Sequence, residues 1–261
     1  MVSTSAARNE AAYGHRWRAA KSLVLMRPHL WRELAPLLKG GKMLEIGAGL
    51  RPTAPPRGSY FADISKEALA VLESAGGRVI TLTDGRIPFE AGTLAGVLAF
   101  EVLEHVEEDT SLLAEVARSL RPGGLLVCSV PLRMAYWSRL DDEAAHVRRY
   151  EPEELFSKLR AAGFSLRKVE YRYGRPSKLA DMAAAWTLRA IPRLTNGTLQ
   201  RIVFPIQSAV QRRFGRMKWA NAADPVPAGA TGICVLAVHD EGGATDRSSR
   251  PAAAAASSRA R

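Results

Sequence analysis

The chain has 261 residues, of which 47% are hydrophobic and 24% are charged. These values are typical of a globular protein with a packed core, and they exclude a disordered chain, a collagen-like protein and a coiled-coil rod. No segment approaches the roughly 18 apolar residues of a membrane span, and the N-terminus lacks the apolar stretch of a secretory signal. Cys128 and Cys234 lie in separate apolar runs. This predicts buried, reduced thiols and favours the cytoplasm.

The formal charge of +11 is unevenly distributed along the chain. Residues 43–173 have a net charge of −3, whereas residues 1–42 and 174–230 carry +6 and +7. A basic surface can attract nucleic acid or an anionic membrane, and charge alone does not distinguish these partners. Solubility, membrane contact and nucleic-acid binding therefore all stay open as explanations of the basic flanks.

The two ends of the chain differ in pattern from its centre. Small, polar and alanine-rich residues predict disorder over 1–12 and 241–261. From Tyr13 to Leu38, apolar residues recur at three- and four-residue steps. This spacing predicts an N-terminal helical flap over residues 13–41.

Between residues 42 and 173, short apolar runs alternate with helical patterns, which predicts an α/β fold with a mostly parallel sheet covered by helices. The predicted strands are 42–46, 59–64, 78–82, 94–100, 124–130 and 164–171, followed by a last strand at 231–240. Helices are predicted to begin after Ser65, near Thr110 and at Pro152. The first crossover is short and rich in proline, so we expect a loop with at most one helical turn there.

Residues 174–230 interrupt the sheet before its last strand and form a basic insertion that we expect to be helical. Apolar residues recur at helical spacing from Leu179 to Ala190 and from Leu199 to Phe214, with arginines on other faces. A lid that packs on the sheet is the favoured interpretation, and a basic amphipathic surface that contacts an anionic membrane is the second. Nucleic-acid binding comes third, because the aromatic residues form no obvious stacking platform.

Two strand ends carry residues that suit a nucleoside ligand. The first predicted strand ends in the turn Gly47-Ala48-Gly49, and Asp63 ends the second, 18 residues after Glu45. Glycines let the backbone turn tightly and approach a ligand, and a carboxylate at the next strand end can accept both ribose hydroxyls. A structural turn followed by an ordinary surface aspartate would explain the same two features.

Further motifs follow in order along the chain. Thr83-Asp84-Gly85 follows the third strand, Phe100-Glu101-Val102-Leu103-Glu104-His105 follows the fourth, and Leu120-Arg121-Pro122-Gly123-Gly124 precedes the fifth. With these motifs the chain resembles the class I S-adenosylmethionine-dependent methyltransferases, particularly their bacterial type 11-like subgroup. The glycine turn departs from the usual family pattern, because Arg51 stands where a third glycine is expected.

The resemblance covers residues 42–173 and 231–240, and it implies one cofactor-binding domain made of these two segments. It implies a Rossmann-like, doubly wound, seven-stranded, mostly parallel sheet whose last strand is antiparallel. It also implies an enzyme that transfers a methyl group from S-adenosyl-L-methionine to an acceptor. A non-catalytic cofactor-binding or scaffold module is the alternative.

The resemblance assigns four residues to the methionine end of the cofactor. Gly47 and Gly49 would pass under the methionine part, and Glu45 would order the loop and the amino group. The carbonyl of Phe100 would face the cofactor's ammonium.

It assigns four more residues to the nucleoside end of the cofactor. Asp63 would bind the ribose diol, and Ile64 would pack beside the adenine. Asp84 would accept a hydrogen bond from the adenine amino group, while the backbone of Gly85 would face the ring.

Methyl transfer from a sulfonium is an in-line displacement, in which the protein aligns the reactants and excludes water, so a general base is optional. His146 follows the fifth strand, where the family's substrate side lies, and it is the first candidate for a base. His105 is the second candidate. Both could instead be structural, His146 as a loop anchor and His105 as a pocket wall. No His/Cys cluster in the sequence suggests a metal.

The acceptor class is not identified by the sequence. A small molecule is expected first, a lipid-linked molecule second and RNA third. The expected location is the cytoplasm, with peripheral contact at the inner surface of the membrane as an alternative.

Overall fold

The computed structural model of the protein describes residues 23, 27–82, 85–172 and 218–240. Their strands form one sheet with the order β3-β2-β1-β4-β5-β8-β6-β7. These strands are β1 Met43–Ile46, β2 Tyr60–Ala62, β3 Arg78–Ile80, β4 Leu94–Phe100, β5 Leu120–Pro131, β6 Phe164–Arg172, β7 Ala220–Asn221 and β8 Gly232–His239. Strands β1 to β5 pair in parallel, and β8 runs antiparallel between β5 and β6. The predicted α/β fold with an antiparallel last strand is confirmed.

All seven predicted strands are present, and β7 is an eighth. This two-residue strand pairs antiparallel with β6 at the edge of the sheet. It lies within 174–230, where a helical insertion was predicted, so the described part of that segment, residues 218–230, contains a strand that was not predicted. The prediction for residues 174–217 concerns residues outside the described ranges, as do the predictions for 1–12 and 241–261.

The described helices cover both faces of the sheet. They are α1 Pro28–Leu34, α2 Lys66–Ser74, α3 Asp109–Ser119, α4 Arg139–Glu143 and α5 Pro152–Ala161, with short 3-10 helices at Leu103–His105 and Met134–Tyr136. The Ser65 side chain caps α2 by accepting a hydrogen bond from the N–H of Ala68 at 3.2 Å, and Pro152 occupies the start of α5. The predicted starts of both helices are confirmed. Within the described parts of the chain, no helix has the length and apolar character that a membrane span needs.

Successive residues of a strand point to opposite faces of the sheet. Both faces are buried here, because each is covered by an apolar layer of helix residues. Leu44 packs in one apolar layer with residues of α3 and α5, and its neighbour Met43 packs in the other with residues of α1 and α2. All seven residues of β4 are buried, as expected for a central strand covered on both sides. The thiols of Cys128 and Cys234 are buried and free, as predicted.

The connection between β1 and β2 places the candidate site. Residues 47–59, all of which are described, contain no helix, so the predicted loop is confirmed. Leu30 and Leu34 of α1 are buried with Met43, which means that this N-terminal helix covers part of the first strand. The strand order reverses between β1 and β4, and in open α/β sheets ligands bind at the carboxyl ends of the strands at such a point.

Candidate active site

The turn after β1 is shaped by Gly47 and Gly49. Both residues adopt left-handed backbone conformations, with φ of 68° and 52°. A Cβ atom at Gly47 would lie 2.6 Å from Cγ2 of Val102, so a larger residue would clash there. The N–H of Gly47 donates to the carbonyl of Ala62 at 2.8 Å, which ties the turn to the end of β2. The turn is therefore held at the carboxyl edge of the sheet.

Glu45 organises the rest of this loop from inside the protein. Its carboxylate is 2% exposed and accepts hydrogen bonds from the N–H groups of Thr53, at 2.8 Å, and Ala54, at 3.0 Å. Burial raises the pKa of Glu45 to about 7, although these N–H donors act in the opposite direction. The hydrogen bonds fix the proline-rich crossover against β1.

The shifted pKa of Glu45 predicts a pH-dependent contribution to stability. The unfolded chain loses this proton near pH 4.5, and the folded protein loses it only at about pH 7. Between pH 4.5 and 7 the folded state therefore holds a proton that the unfolded chain has lost. The stabilisation that comes from the protonated Glu45 carboxyl is complete below pH 4.5 and is lost as the pH rises through about 7. The free energy of unfolding of the wild type should fall by about 3 kcal/mol relative to Glu45→Gln over this interval.

Urea unfolding of both proteins at several pH values between 5 and 8 measures this difference. The exposed Glu90 offers the matched control Glu90→Gln, which should follow the wild type at every pH. A constant difference between wild type and Glu45→Gln across the range would contradict the prediction.

Asp63 connects the glycine turn to the end of β2. One carboxylate oxygen accepts a hydrogen bond from the N–H of Gly49 at 2.8 Å, and the other accepts from the N–H of Ser65 at 2.8 Å. Burial raises the pKa of Asp63 above its usual value, and both N–H donors oppose that shift. The structure thus brings Gly47, Gly49 and Asp63 to one edge of the sheet, as the motif spacing predicted.

Two of the residues predicted for the adenine side, Ile64 and Gly85, follow strands β2 and β3. Ile64 follows Asp63 and is 46% exposed, which is unusual for a large apolar side chain in this protein. Gly85 has a φ of 75°, and a Cβ atom built there would meet no other atom within 4 Å. Asp84 lies outside the described residues, so its predicted contact with the adenine stays a prediction.

The end of β4 places Phe100 and Glu101 beside the same turn. Phe100 is buried, and the guanidinium of Arg27 lies 4.3 Å from the centre of its ring. Glu101 has a φ of 54°, a conformation that is uncommon for residues other than glycine. Its carboxylate accepts a hydrogen bond from Ser129 at 2.6 Å and forms an ion pair with Arg172. Burial opposes ionisation of Glu101, but the charge and hydrogen bond of Arg172, the hydrogen bond from Ser129 and the charge of Arg27 together lower the pKa.

The two candidate catalytic histidines lie against each other. The rings of His105 and His146 are 4.7 Å apart and nearly perpendicular. Nδ1 of His146 lies 2.8 Å from the carboxylate of Asp141, and its Nε2 lies 4.0 Å from the carboxylate of Glu104. Burial, and to a smaller extent the neighbouring His146, lowers the pKa of His105 to about 4.

Glu104 belongs to the same cluster, and sequence reasoning assigned it no role. Its side chain is fully buried, and neither carboxylate oxygen has a hydrogen-bond partner among the described residues. Burial raises the pKa of Glu104 well above its usual value, and the nearby charge of Glu101 adds to this effect. One donor atom each from Glu104, His105 and His146 lies within 4.8 Å of the others. The sequence suggested no metal cluster because residues 104 and 146 are far apart in the chain.

Asp141 holds the loop that carries His146. It is 1% exposed and accepts two hydrogen bonds from the guanidinium of Arg149, both at 2.8 Å. It also accepts hydrogen bonds from the N–H and the hydroxyl of Ser138, which caps α4. Burial opposes ionisation, but these partners together lower the pKa of Asp141, so it remains a carboxylate that can orient the imidazole.

Tyr150 anchors the same loop to the core. It is fully buried, and its hydroxyl donates to the carboxylate of Asp109 at 2.6 Å. Asp109 also pairs with Lys158 at 2.7 Å and with Arg148 at 3.1 Å. This network joins α3 to α5 and gives Tyr150 a structural role.

The fold is a Rossmann-like sheet with a glycine turn and an aspartate at the ends of adjacent strands. Residues 44–128 match a family model described as a methyltransferase domain. The strand order, the motif order and this match agree, and residues 44–128 are similar to the methyltransferase domain of the class I S-adenosylmethionine-dependent enzymes.

Curated relatives include a "probable S-adenosylmethionine-dependent methyltransferase" of Mycobacterium tuberculosis. It is 29% identical over 144 residues, which cover 52% of this chain and 53% of that protein. A protein of Mycolicibacterium smegmatis with a similar description is 30% identical over 150 residues, covering 52% of this chain and 57% of the relative. The chain thus spans about half the length of the curated relatives that it matches.

Solved structures share the fold at low sequence identity. A S-adenosylmethionine-dependent methyltransferase from Thermotoga maritima aligns with a TM-score of 0.52 and 15% identity, covering 89% of this chain and 95% of that one. The cyclase SpnF aligns with a TM-score of 0.55 and 14% identity, covering 93% and 98%. Since one of these proteins is described as a cyclase, the shared fold alone does not identify the reaction.

Proposed function

We propose that the protein binds S-adenosyl-L-methionine and transfers its methyl group to an acceptor by in-line displacement. The observation that carries this proposal is the arrangement of Gly47, Gly49 and Asp63 at the ends of adjacent strands. The glycines turn the backbone where the methionine part would pass, and Asp63 stands where a ribose diol can donate to a carboxylate. The match to the methyltransferase family supports this assignment of the ligand.

The proposed contacts with the cofactor come from residues at the ends of three strands. The carbonyl of Phe100 faces the ammonium of the methionine part, and Ile64 and Gly85 line the adenine. Glu45 acts as a positioning residue, because its observed hydrogen bonds go to the loop backbone. Glu45 is therefore proposed to act on the cofactor indirectly, by holding the loop in place, and not through the predicted contact with the cofactor's amino group.

The acceptor is proposed to approach the cluster of His105 and His146. These residues follow β4 and β5, next to the carboxyl edge that holds the proposed cofactor contacts. His105 is a poor general base, because a pKa of about 4 leaves it a weak proton acceptor near neutral pH. A small molecule is the favoured acceptor, followed by a lipid-linked molecule and then RNA. The proposed lid comprises residues 174–230, of which only residues 218–230 are within the described ranges.

Calorimetry and a transfer assay test this function on the full chain. Titration with S-adenosylmethionine and with S-adenosylhomocysteine should show saturable binding of both. Cofactor carrying a labelled methyl group is then incubated with separate water-soluble, lipid and RNA extracts, and label should enter the water-soluble fraction. Absence of cofactor binding would refute the proposal, and binding without transfer to any fraction would favour the scaffold alternative.

A further inference from the structure

Glu104, His105 and His146 place three metal-ligating groups around one point. One donor atom from each lies within 4.8 Å of the others, and Nε2 of His146 is 4.0 Å from Oε1 of Glu104. Metal–nitrogen and metal–oxygen bonds of about 2.0–2.2 Å separate neighbouring ligand atoms by roughly 3–4 Å. The cluster therefore has the dimensions of a metal site and needs little adjustment to close around a cation.

The carboxylate of Glu104 is an independent sign that a cation belongs there. It is completely buried, and within the described structure neither of its oxygens accepts a hydrogen bond. Burying an unpaired polar group is costly, and native proteins rarely leave a carboxylate in that state. Arg172, whose charge acts on Glu104, already forms an ion pair with Glu101.

Both histidines have the outer partners that metal-binding imidazoles use. Nδ1 of His146 is held by the Asp141 carboxylate at 2.8 Å, which leaves Nε2 on the side of Glu104. His105 forms a hydrogen bond with the backbone of Ala145, a residue whose φ of 57° is unusual for a side chain other than glycine. Metal-ligating histidines almost always give their second nitrogen to a carboxylate or a backbone carbonyl.

We propose that Glu104, His105 and His146 bind a divalent transition-metal ion, and that Asp141 is the positioning residue for His146. Two imidazoles and one carboxylate suit Mn²⁺, Fe²⁺ or Zn²⁺, whereas Ca²⁺ and Mg²⁺ prefer sites made only of oxygen. Three protein ligands leave coordination positions open for a substrate or water. Metal binding itself does not require methyl transfer, so this site and the proposed function can fail separately.

The consequence for the acceptor rests on the proposed function. A hydroxyl held beside a divalent cation loses its proton to water more readily. The acceptor oxygen then forms a bond to the methyl carbon as the bond from that carbon to the cofactor's sulfur breaks, and S-adenosylhomocysteine is released. In this arrangement His146 is a ligand rather than a general base, and the acceptor class is narrowed to molecules with a hydroxyl near the transferred methyl group.

The test is a titration of the metal-stripped full chain with MnCl₂. The electron paramagnetic resonance signal of free Mn²⁺ is measured at each step and gives the amount of bound ion. The wild type should bind one ion per chain, and its melting temperature should rise with Mn²⁺ concentration. Glu104→Gln and His146→Asn should each weaken binding about 100-fold or more, and Asp141→Asn about 10- to 100-fold. The exposed Glu108 and the distant His239 provide the controls Glu108→Gln and His239→Asn, which should bind Mn²⁺ as the wild type does.

Each result decides one proposal. Glu104→Gln is the central variant, because it keeps the size of the side chain and removes only the charge. If the wild type shows no saturable Mn²⁺ binding, or if folded Glu104→Gln binds as tightly as the wild type, the metal site is refuted. Calorimetry with S-adenosylmethionine on the same samples distinguishes the proposed metal site from the proposed function. Cofactor binding without Mn²⁺ binding would refute the metal site alone.

Discussion

Replacing Asp63 with alanine should weaken binding of S-adenosylmethionine by about 1.5–3 kcal/mol, or roughly 10- to 150-fold. The change removes the carboxylate that is proposed to accept the ribose hydroxyls. It also removes the hydrogen bond from the N–H of Gly49, which loosens the turn that would carry the methionine part. Both effects have the same sign, and calorimetric titration of the folded variant measures their sum.

A matched control separates the loss of this carboxylate from the loss of any acid near α2. Glu73 is exposed at the end of that helix, and Glu73→Ala changes the net charge by the same amount. It should leave the affinity at the wild-type value. Equal affinities for Asp63→Ala and the wild type would rule out the proposed ribose contact.

The second large effect concerns stability, and we expect it for Asp109→Ala. Asp109 is 3% exposed and accepts hydrogen bonds from Tyr150, Lys158 and Arg148. Removing one partner of a buried ion pair typically costs about 3–5 kcal/mol, and we expect the lower end because both cations are partly exposed. Urea unfolding should therefore show a free energy of unfolding reduced by about 3 kcal/mol.

The pH dependence of this contribution has a defined sign. Burial opposes ionisation of Asp109, but the hydrogen bonds from Lys158 and Tyr150 and the charges of Arg148 and Lys158 together lower the pKa. The stabilisation is thus complete above the usual aspartate pKa of about 3.9 and is lost as the pH falls through the lower folded value. Glu108→Ala, at the exposed neighbouring position, should unfold like the wild type. A similar loss in this control would show that the network is not responsible.

Most of the sheet could be predicted because its strands carry their own signal. The sequence of β4 is apolar at nearly every position, which is typical of a strand buried on both faces. Strand β7 carries no such signal, since Ala220 and Asn221 have weak strand preferences. They become a strand only because the exposed edge of β6 lies beside them, at Lys168 and Val169. Pairing of this kind is decided by tertiary contacts.

The candidate site also contains residues that could be predicted from the sequence and one residue that could not. Gly47, Gly49 and Asp63 could be found from the sequence because their spacing along two consecutive strands reflects the geometry of the turn. The role of Glu104 could not, because its burial and lack of partners depend on how the loops after β4 and β5 pack together. A usable signal did exist, since β4 and β5 were both predicted, and adjacent parallel strands bring the residues at their carboxyl ends together.

Helix α1 belongs to the smallest part of this protein that we expect to fold. The match to the family model begins at residue 44, yet Leu30 and Leu34 lie ten or more residues earlier and are 0% and 1% exposed. They pack with buried apolar side chains of β1 and β4. A fragment cut at the boundary of sequence similarity would open this apolar surface to water and invite aggregation. The segment that matches the family model is therefore smaller than the unit that packs as one core.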